Sequence, residues 1–542
     1  MIAGVVTLAS LAAGGCTTIR PSAFPVAPRA LETAADGSVL RSYDVDGDER
    51  IDFVQRLDAS GRIVGLRFPR SKEHGEEVAY PPSDPDAPRL LIIFDSIPYN
   101  LVATAWRHGR FRMFPPPSRI VSPFPVMTDP CIATFVGALP VPGVEAAYVE
   151  NGRLTPATSS YLERRNMPWA ESMDYSLATI GHMFAYTEPD PWLDHELARI
   201  EQHFDEALAE GRRRFMAYVL STSAIGSRAG RNGHQRALIR IDRFCNALLY
   251  KFRGHIRLTI LSDHGHYLAA SERVPLPENL RLAGYRVGTR FDDHTDVIVP
   301  EWGLVSTASI YTRYPAAVAR DVIGFEGVEL SAYRKGDAVV VCGREGMARI
   351  DASGQRLRYS IVSGDPLHLA DVMATMRSRG VLDAEGFAST DDWLAATQDH
   401  EFVDPVDRLW HAFYDQFVNT PDVILSLRDG IHFGSDDLDH SLPMAATHGN
   451  LRAASSFGFV MTNAGALPPT MRMRDVATAL RTVGAPAPPY APSGDSGGGS
   501  PVASAGGVSA TAAAAGSGRI IAASTSPASS HDARMSTPSA TQ

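Results

Sequence analysis

The sequence predicts an α/β fold: a central, mostly parallel sheet flanked by helices, with an inserted cap region. Three observations carry that expectation. Residues 89–95 (Arg-Leu-Leu-Ile-Ile-Phe-Asp), 215–220 and 256–261 are unbroken apolar runs, the pattern of strands buried on both faces of a parallel sheet. Between the last two lies a helical stretch, 235–252, with apolar positions at Leu238, Ile241, Phe244, Leu248 and Leu249. Strand, helix, strand is the repeating unit of such a sheet. Polar residues follow these strands directly, at the carboxyl edge where α/β proteins place their chemistry.

The bulk composition limits the rest. With 542 residues, 44% of them hydrophobic and 21% charged, the chain can bury one large core and carry accessory regions. A net charge of −10 offers no broad basic face, so a nucleic-acid polymer is not an expected partner. The four cysteines, Cys16, Cys131, Cys245 and Cys342, have no CxxC spacing, which argues against a zinc ribbon or a disulfide framework.

Cys16 ends an apolar run, residues 2–11, and follows Ala12-Ala13-Gly14-Gly15. Small residues before a cysteine fit the lipobox of a bacterial lipoprotein, and the run is too short to span a bilayer as a mature helix. Residues 1–16 therefore read as a lipoprotein signal peptide, although no Lys or Arg precedes the run. An exported protein anchored to a membrane through Cys16, facing the periplasm or cell exterior, is the expectation.

Residues 17–88 read as a polar leader. Within it, Asp44-Val45-Asp46-Gly47-Asp48-Glu49-Arg50-Ile51-Asp52 spaces Asp44, Asp46, Asp48 and Asp52 as hard oxygen ligands for Ca²⁺. The spacing resembles the DxDxDGxxD hairpin of integrin-type calcium repeats, with Glu49 where glycine is preferred. The alternative is a solvated acidic turn between two strands, 40–43 and 51–56. Residues 89–484 read as the main domain, interrupted by the cap or accessory region at 285–420 and closed by an amphipathic helix, 471–483. Beyond Gly484 the chain is Ala, Gly, Ser, Pro and Thr with almost no large apolar residues, a tail (485–542) expected to be disordered because it cannot bury a core.

The chemistry gathers at the strand ends. Asp95 closes the first strand, and Asp263-His264-Gly265 follows the third. Thr128 precedes a helix-like run, 132–139, so an N-cap position in the positive field of the helix is expected for its hydroxyl. Two carboxylates and an imidazole suit Zn²⁺ or Mn²⁺, and such a cation lowers the pKa of a nearby hydroxyl and orients it for attack.

The order of these elements resembles the alkaline phosphatase superfamily, most closely its nucleotide pyrophosphatase/phosphodiesterase branch. That superfamily runs a strand-end Asp, a Thr or Ser in a PSVTxPN-like turn, Asp-x-x-x-His, Asp-His-Gly and a late His-Gly. Asp95, Thr128, Asp263, His264 and His448 match the first, second, fourth and fifth elements in order, His448 within Ala446-Thr447-His448-Gly449. Pro421-Asp422-Val423-Ile424 and Leu467 to Ala477 also resemble the text around the family's closing motif and last helix. The resemblance implies Thr128 as nucleophile, and Asp95, Thr128, Asp263, His264 and His448 as metal ligands.

The third element departs. Where the family has Asp-x-x-x-His, this chain has Ser223-Ala224-Ile225-Gly226-Ser227, and neutral hydroxyls neither balance nor match Zn²⁺. Ser223 and Ser227 thus mark a degraded second metal position that keeps only His448. His234 reads as a surface histidine starting the next helix, with a minority role as a replacement ligand. Cys131 stands where an asparagine usually follows the nucleophile's proline. Single-metal relatives exist in the superfamily, among them lipoteichoic acid synthases and phosphoethanolamine transferases.

Three functions follow. The first is a metal-dependent phosphodiesterase or phosphotransferase acting on a small-molecule or lipid phosphate ester through Thr128. The second is a surface-anchored binding protein that kept the fold without the chemistry. The third, a sulfatase, needs an arginine in a CxPxR context, and Cys131 is followed by Ile132-Ala133-Thr134-Phe135.

Overall fold

In the computed structural model, residues 24–70 and 76–488 are described. Cys16 and nearly all of the segment read as a disordered tail lie outside the described residues. Six strands form the central sheet, in the order Arg214–Val219, Arg89–Phe94, Arg257–Ser262, Phe457–Thr462, Ser118–Val121, Thr470–Arg472. Only Phe457–Thr462 runs against its neighbours; the other five are parallel. The three apolar runs are its first three strands, each within one residue of expectation. Their register places Phe94 opposite Val219 on one side and Ser262 on the other. Asp95 and Asp263 therefore leave the sheet side by side, at one edge.

Helices cover both faces. One face packs on Pro189–Ala209 and Ser221–Lys251, the other on Thr128–Val136 and Met473–Thr482. The helix expected from Gln235 begins much earlier, at Ser221, and crosses a kink at Gly230, whose φ of 52° and ψ of −137° leave the helical region. Glu196 explains the early start. Its buried carboxylate accepts the amides of Leu220 (3.2 Å) and Ser221 (2.9 Å), satisfying helix donors that have no partner within the helix.

The segment read as a polar leader is folded. Five antiparallel strands, Ala30–Thr33, Val39–Tyr43, Phe53–Leu57, Ile63–Arg67 and Glu77–Ala79, form a meander. Phe53 packs between Phe68 (5.2 Å between centroids) and Tyr250 of the long helix (5.7 Å), so the meander is sewn to the main core.

The region read as a cap holds most of a second sheet. Eight strands, all paired antiparallel, run from Val297–Ile298 at one edge to Ala388–Ser389 at the other. Strand Val423–Leu427, just outside the expected cap, lies third in this sheet, between Thr307–Thr312 and Val328–Lys335. From there the chain returns to the central sheet through the loop carrying His448. Among the described residues no helix is long and apolar enough to cross a membrane, and Cys131, Cys245 and Cys342 are buried free thiols.

Candidate metal centre

Asp95, Asp263 and His264 are buried at the sheet edge, and one ligand atom from each lies within 4.8 Å of the others. His264 Nε2 stands 3.4 Å from Asp263 Oδ2 and 3.8 Å from Asp95 Oδ1. Its Nδ1 donates to the carbonyl of Gly265 (3.0 Å), which leaves the Nε2 lone pair facing the carboxylates. Gly265 has no room for a side chain: a Cβ would lie 2.6 Å from the carbonyl oxygen of Ala454.

The two carboxylates are oriented by different means. Asp263 Oδ1 accepts the amides of Ser96 (3.0 Å) and His264 (2.9 Å), while Oδ2 is buried with no hydrogen-bond partner. Asp95 takes the hydroxyls of Ser96 on Oδ1 (2.6 Å) and Tyr218 on Oδ2 (2.5 Å). Burial pushes both acids up to about 7, and the Asp263 charge adds to the shift at Asp95. Burial also lowers His264. A dehydrated pair of acids, an orphaned carboxylate oxygen and an imidazole nitrogen turned toward them fit a divalent cation, whose charge offsets the cost of burying them.

Thr128 Oγ1 lies 3.4 Å from His264 Nε2. It is not the N-cap that the sequence suggests. Met127 holds that position in extended conformation, Thr128 is the first helical residue, and no side chain caps the helix. The hydroxyl is turned to the metal group instead of back to the helix amides.

His448 Nδ1 donates to the carbonyl of Val126 (2.8 Å), and its ring stacks on His264 at 4.2 Å. Ser223 Oγ sits 3.2 Å from Ser96 Oγ, one hydroxyl away from Asp95, and 3.4 Å from Tyr186 Oη. Ser227 lies one turn further on, and its carbonyl takes the amide of Ala445 in the His448 loop.

His234 corrects its expectation: it is fully buried. Its Nε2 is 3.0 Å from Nδ1 of His266, and the pair lies over Gly226, where a Cβ would stand 2.2 Å from His234 Nε2 and 2.7 Å from His266 Nδ1. The helix kink at Gly230 lies between the serines and His234. Burial drives His234 down to about 3 and His266 far below its ordinary value. A neutral imidazole pair thus packs against the turn between Ser223 and Ser227, with His234 Nδ1 and His266 Nε2 buried and without a hydrogen-bond partner, and among the described residues no three-ligand group that includes a carboxylate forms there. His266 follows His264 by two residues and was visible in the sequence. Ser96, Tyr218 and Tyr186 carried no signal: Ser96 owes its place to a left-handed turn (φ 64°), and Tyr218 reads as strand core.

The acidic loop is built differently. Arg70 Nη1 reaches Asp46 (3.1 Å), Asp48 (2.8 Å) and Asp52 (2.9 Å). Asp44 accepts Arg29 Nη1 and the amides of Gly47 and Glu49. Glu49 adopts φ 70°, the left-handed conformation that makes glycine the easier choice there.

No protein-family model matches this chain, and a search of curated proteins finds none similar. Solved structures do match. Phosphonoacetate hydrolase from Sinorhizobium meliloti 1021, in complex with phosphonoacetate, shares 11% identity over 76% of this chain and 98% of its own, with a TM-score of 0.37. Human ectonucleotide pyrophosphatase/phosphodiesterase 5 shares 12% over 74% and 96%, with a TM-score of 0.41. Identity and overlap at this level leave the site to be read from its own geometry.

Proposed function

We propose that the protein is a one-metal phosphoric ester hydrolase of the phosphodiesterase type, or a phosphotransferase, with Thr128 as nucleophile. The observation that carries this reading is the buried, partnerless Asp263 Oδ2 beside His264 Nε2, whose hydrogen-bond partner is the Thr128 hydroxyl 3.4 Å away. Asp95, Asp263, His264 and Thr128 would hold the cation, Zn²⁺ or Mn²⁺. When bound, it would lower the pKa of a hydroxyl and stabilise charge on phosphoryl oxygens. Thr128 would attack phosphorus: its hydroxyl gives up its proton as the oxygen–phosphorus bond forms, the phosphorus–oxygen bond to the leaving group breaks, and the released alkoxide takes up a proton to leave as the alcohol. Water, or an acceptor alcohol in a transferase, then takes the phosphoryl group from Thr128. Gly265 and Val126 fix the tautomers of His264 and His448, while Ser96 and Tyr218 hold Asp95 in place.

The serines at 223 and 227 favour a second reading, a binding protein that keeps one cation and turns nothing over. Assaying an aryl phosphodiester with Zn²⁺ or Mn²⁺ separates the two. Turnover by the wild type that vanishes in Thr128→Ala supports the hydrolase, and no turnover with either ion leaves the binding protein. The remaining parts of this reading are an export signal with a lipid anchor at Cys16 and a cap formed by residues 285–420. The Asp44–Asp52 loop is balanced by Arg70, with Ca²⁺ able to replace the guanidinium.

A further inference from the structure

A serine, a histidine and an aspartate meet outside the metal group. Strand Glu272–Arg273 pairs in parallel with Ile431–His432. Ser271 directly precedes the first strand, His432 ends the second, and Asp439 stands on the short helix Asp436–Ser441 that follows. Ser271 Oγ lies 2.8 Å from His432 Nδ1, and His432 Nε2 lies 2.9 Å from Asp439 Oδ1. The partners fix the tautomer. A carboxylate only accepts, so Nε2 carries the proton and Nδ1 presents a lone pair. The serine hydroxyl therefore donates to Nδ1, and its oxygen keeps its own lone pairs for attack.

His432 is fully buried, and burial holds it below its ordinary value against the pull of Asp439. The ring is thus neutral near pH 7 and able to take a proton. Ser271 is half-buried, and its backbone N–H donates to no acceptor among the described residues. A free amide beside the hydroxyl is a donor of the kind that steadies an oxyanion. The surroundings are ionic. Arg273 reaches Glu301 (2.8 Å), Asp436 (3.2 Å) and the carbonyl of Gly434 (2.9 Å), so the setting suits a small polar ester better than a long apolar chain.

We propose that Ser271, His432 and Asp439 form a second, metal-independent catalytic site that cleaves carboxylic esters with short acyl groups. Ser271 Oγ bonds to the acyl carbon while its proton passes to His432 Nδ1. The ester carbon–oxygen bond breaks as that proton moves to the leaving alcohol. Water repeats the sequence on the acyl-serine: its oxygen bonds to the acyl carbon, the bond to Oγ breaks, and Ser271 regains a proton as the carboxylic acid departs. Asp439 touches no reacting atom; it is a positioning residue that holds the tautomer and offsets the charge His432 gains. None of this depends on the phosphoryl chemistry at Thr128.

The test is labelling of the full chain with a fluorophosphonate, which transfers its phosphonyl group to an activated serine with loss of fluoride, followed by peptide mapping. Ser271 should carry the label, and the chain should hydrolyse p-nitrophenyl acetate with EDTA present. Ser271→Ala should abolish both. His432→Gln, which keeps a side chain able to bond at both ends, should slow labelling of Ser271 by about a hundred-fold or more. Asp439→Asn still offers an acceptor to Nε2 but no charge, and should slow it by about ten-fold or more at an unchanged melting temperature. A structural network would leave the labelling rate of Asp439→Asn at the wild-type value. That result, an unlabelled Ser271, or acetate hydrolysis that EDTA abolishes overturns the second site.

Discussion

Two positions at the same sheet edge have opposite chemistry. At the first, Asp95, Asp263 and His264 offer two carboxylates and an imidazole nitrogen, and one buried oxygen is left without a partner. At the second, the turn between Ser223 and Ser227 carries a neutral imidazole pair packed over Gly226. The backbone that presents them is shared, since the strands ending at Phe94, Val219 and Ser262 are in register. The difference lies in charge: the first position carries two buried carboxylates, and the second carries neutral hydroxyls and imidazoles, with His234 Nδ1 and His266 Nε2 buried and without a hydrogen-bond partner.

The sharpest way to break this contrast is at Thr128, the proposed nucleophile. Thr128→Ala should lower diester turnover by about a thousand-fold or more, while Thr128→Ser keeps measurable activity. Because Thr128 caps nothing, stability should change by less than the ~1 kcal/mol that loss of a helix cap costs. A melting shift as large as a lost cap, with turnover intact, would return Thr128 to a structural role.

A second test rebuilds the missing site. The double variant Ser223→Asp/Ser227→His supplies the absent charge and donor, so metal analysis should show bound ion rising above the wild-type content. If the content is unchanged, these serines are not the degraded position.

Packing provides the third. Gly226→Ala puts a methyl 2.2 Å from His234 Nε2, an overpacking expected to cost about 1–3 kcal/mol in thermal or denaturant unfolding. A neutral result would mean the imidazole pair is not held where the structure places it.

The pH response should differ in sign with and without metal. Asp95 and Asp263 rise from 3.8 to about 7 in the fold. In the apoprotein they favour folding below about pH 4, and that contribution fades as pH climbs through about 7. Metal binding must displace those protons, so the metal-induced gain in melting temperature should grow between about pH 5.5 and 8. A gain independent of pH would mean other ligands hold the ion.

The smallest expected effect is at the acidic loop. Arg70 is exposed, so Arg70→Ala should lower the melting temperature only slightly. Millimolar calcium should restore the loss in this variant and do little to the wild type. Absence of rescue would make the loop an ordinary turn.

How far the sequence could be read follows the same physics. Runs such as Leu90–Phe94 announce themselves because a strand buried on both faces has no polar alternation, and the acids that end them could be placed at one edge. The N-terminal meander escaped notice because its strands are short and half polar: Val39–Tyr43 is mostly only partly buried, and the turns between dominate the composition. The eight-stranded sheet was hidden for a related reason, since antiparallel strands such as Arg356–Ser363 alternate with polar residues. At the site, the charged side chains were legible and the residues that hold them in place were not. Ser96 acts through its backbone conformation, and His234 and His266 meet only because Gly226 leaves space and the helix bends at Gly230.

Metal content of the purified chain tests the central claim most directly. After loading with Zn²⁺ or Mn²⁺ and exhaustive dialysis, about one ion per chain should remain. It should persist largely in Thr128→Ala and be lost in His264→Ala. A wild type that retains no ion, or one that retains two, would contradict the contrast between the two positions.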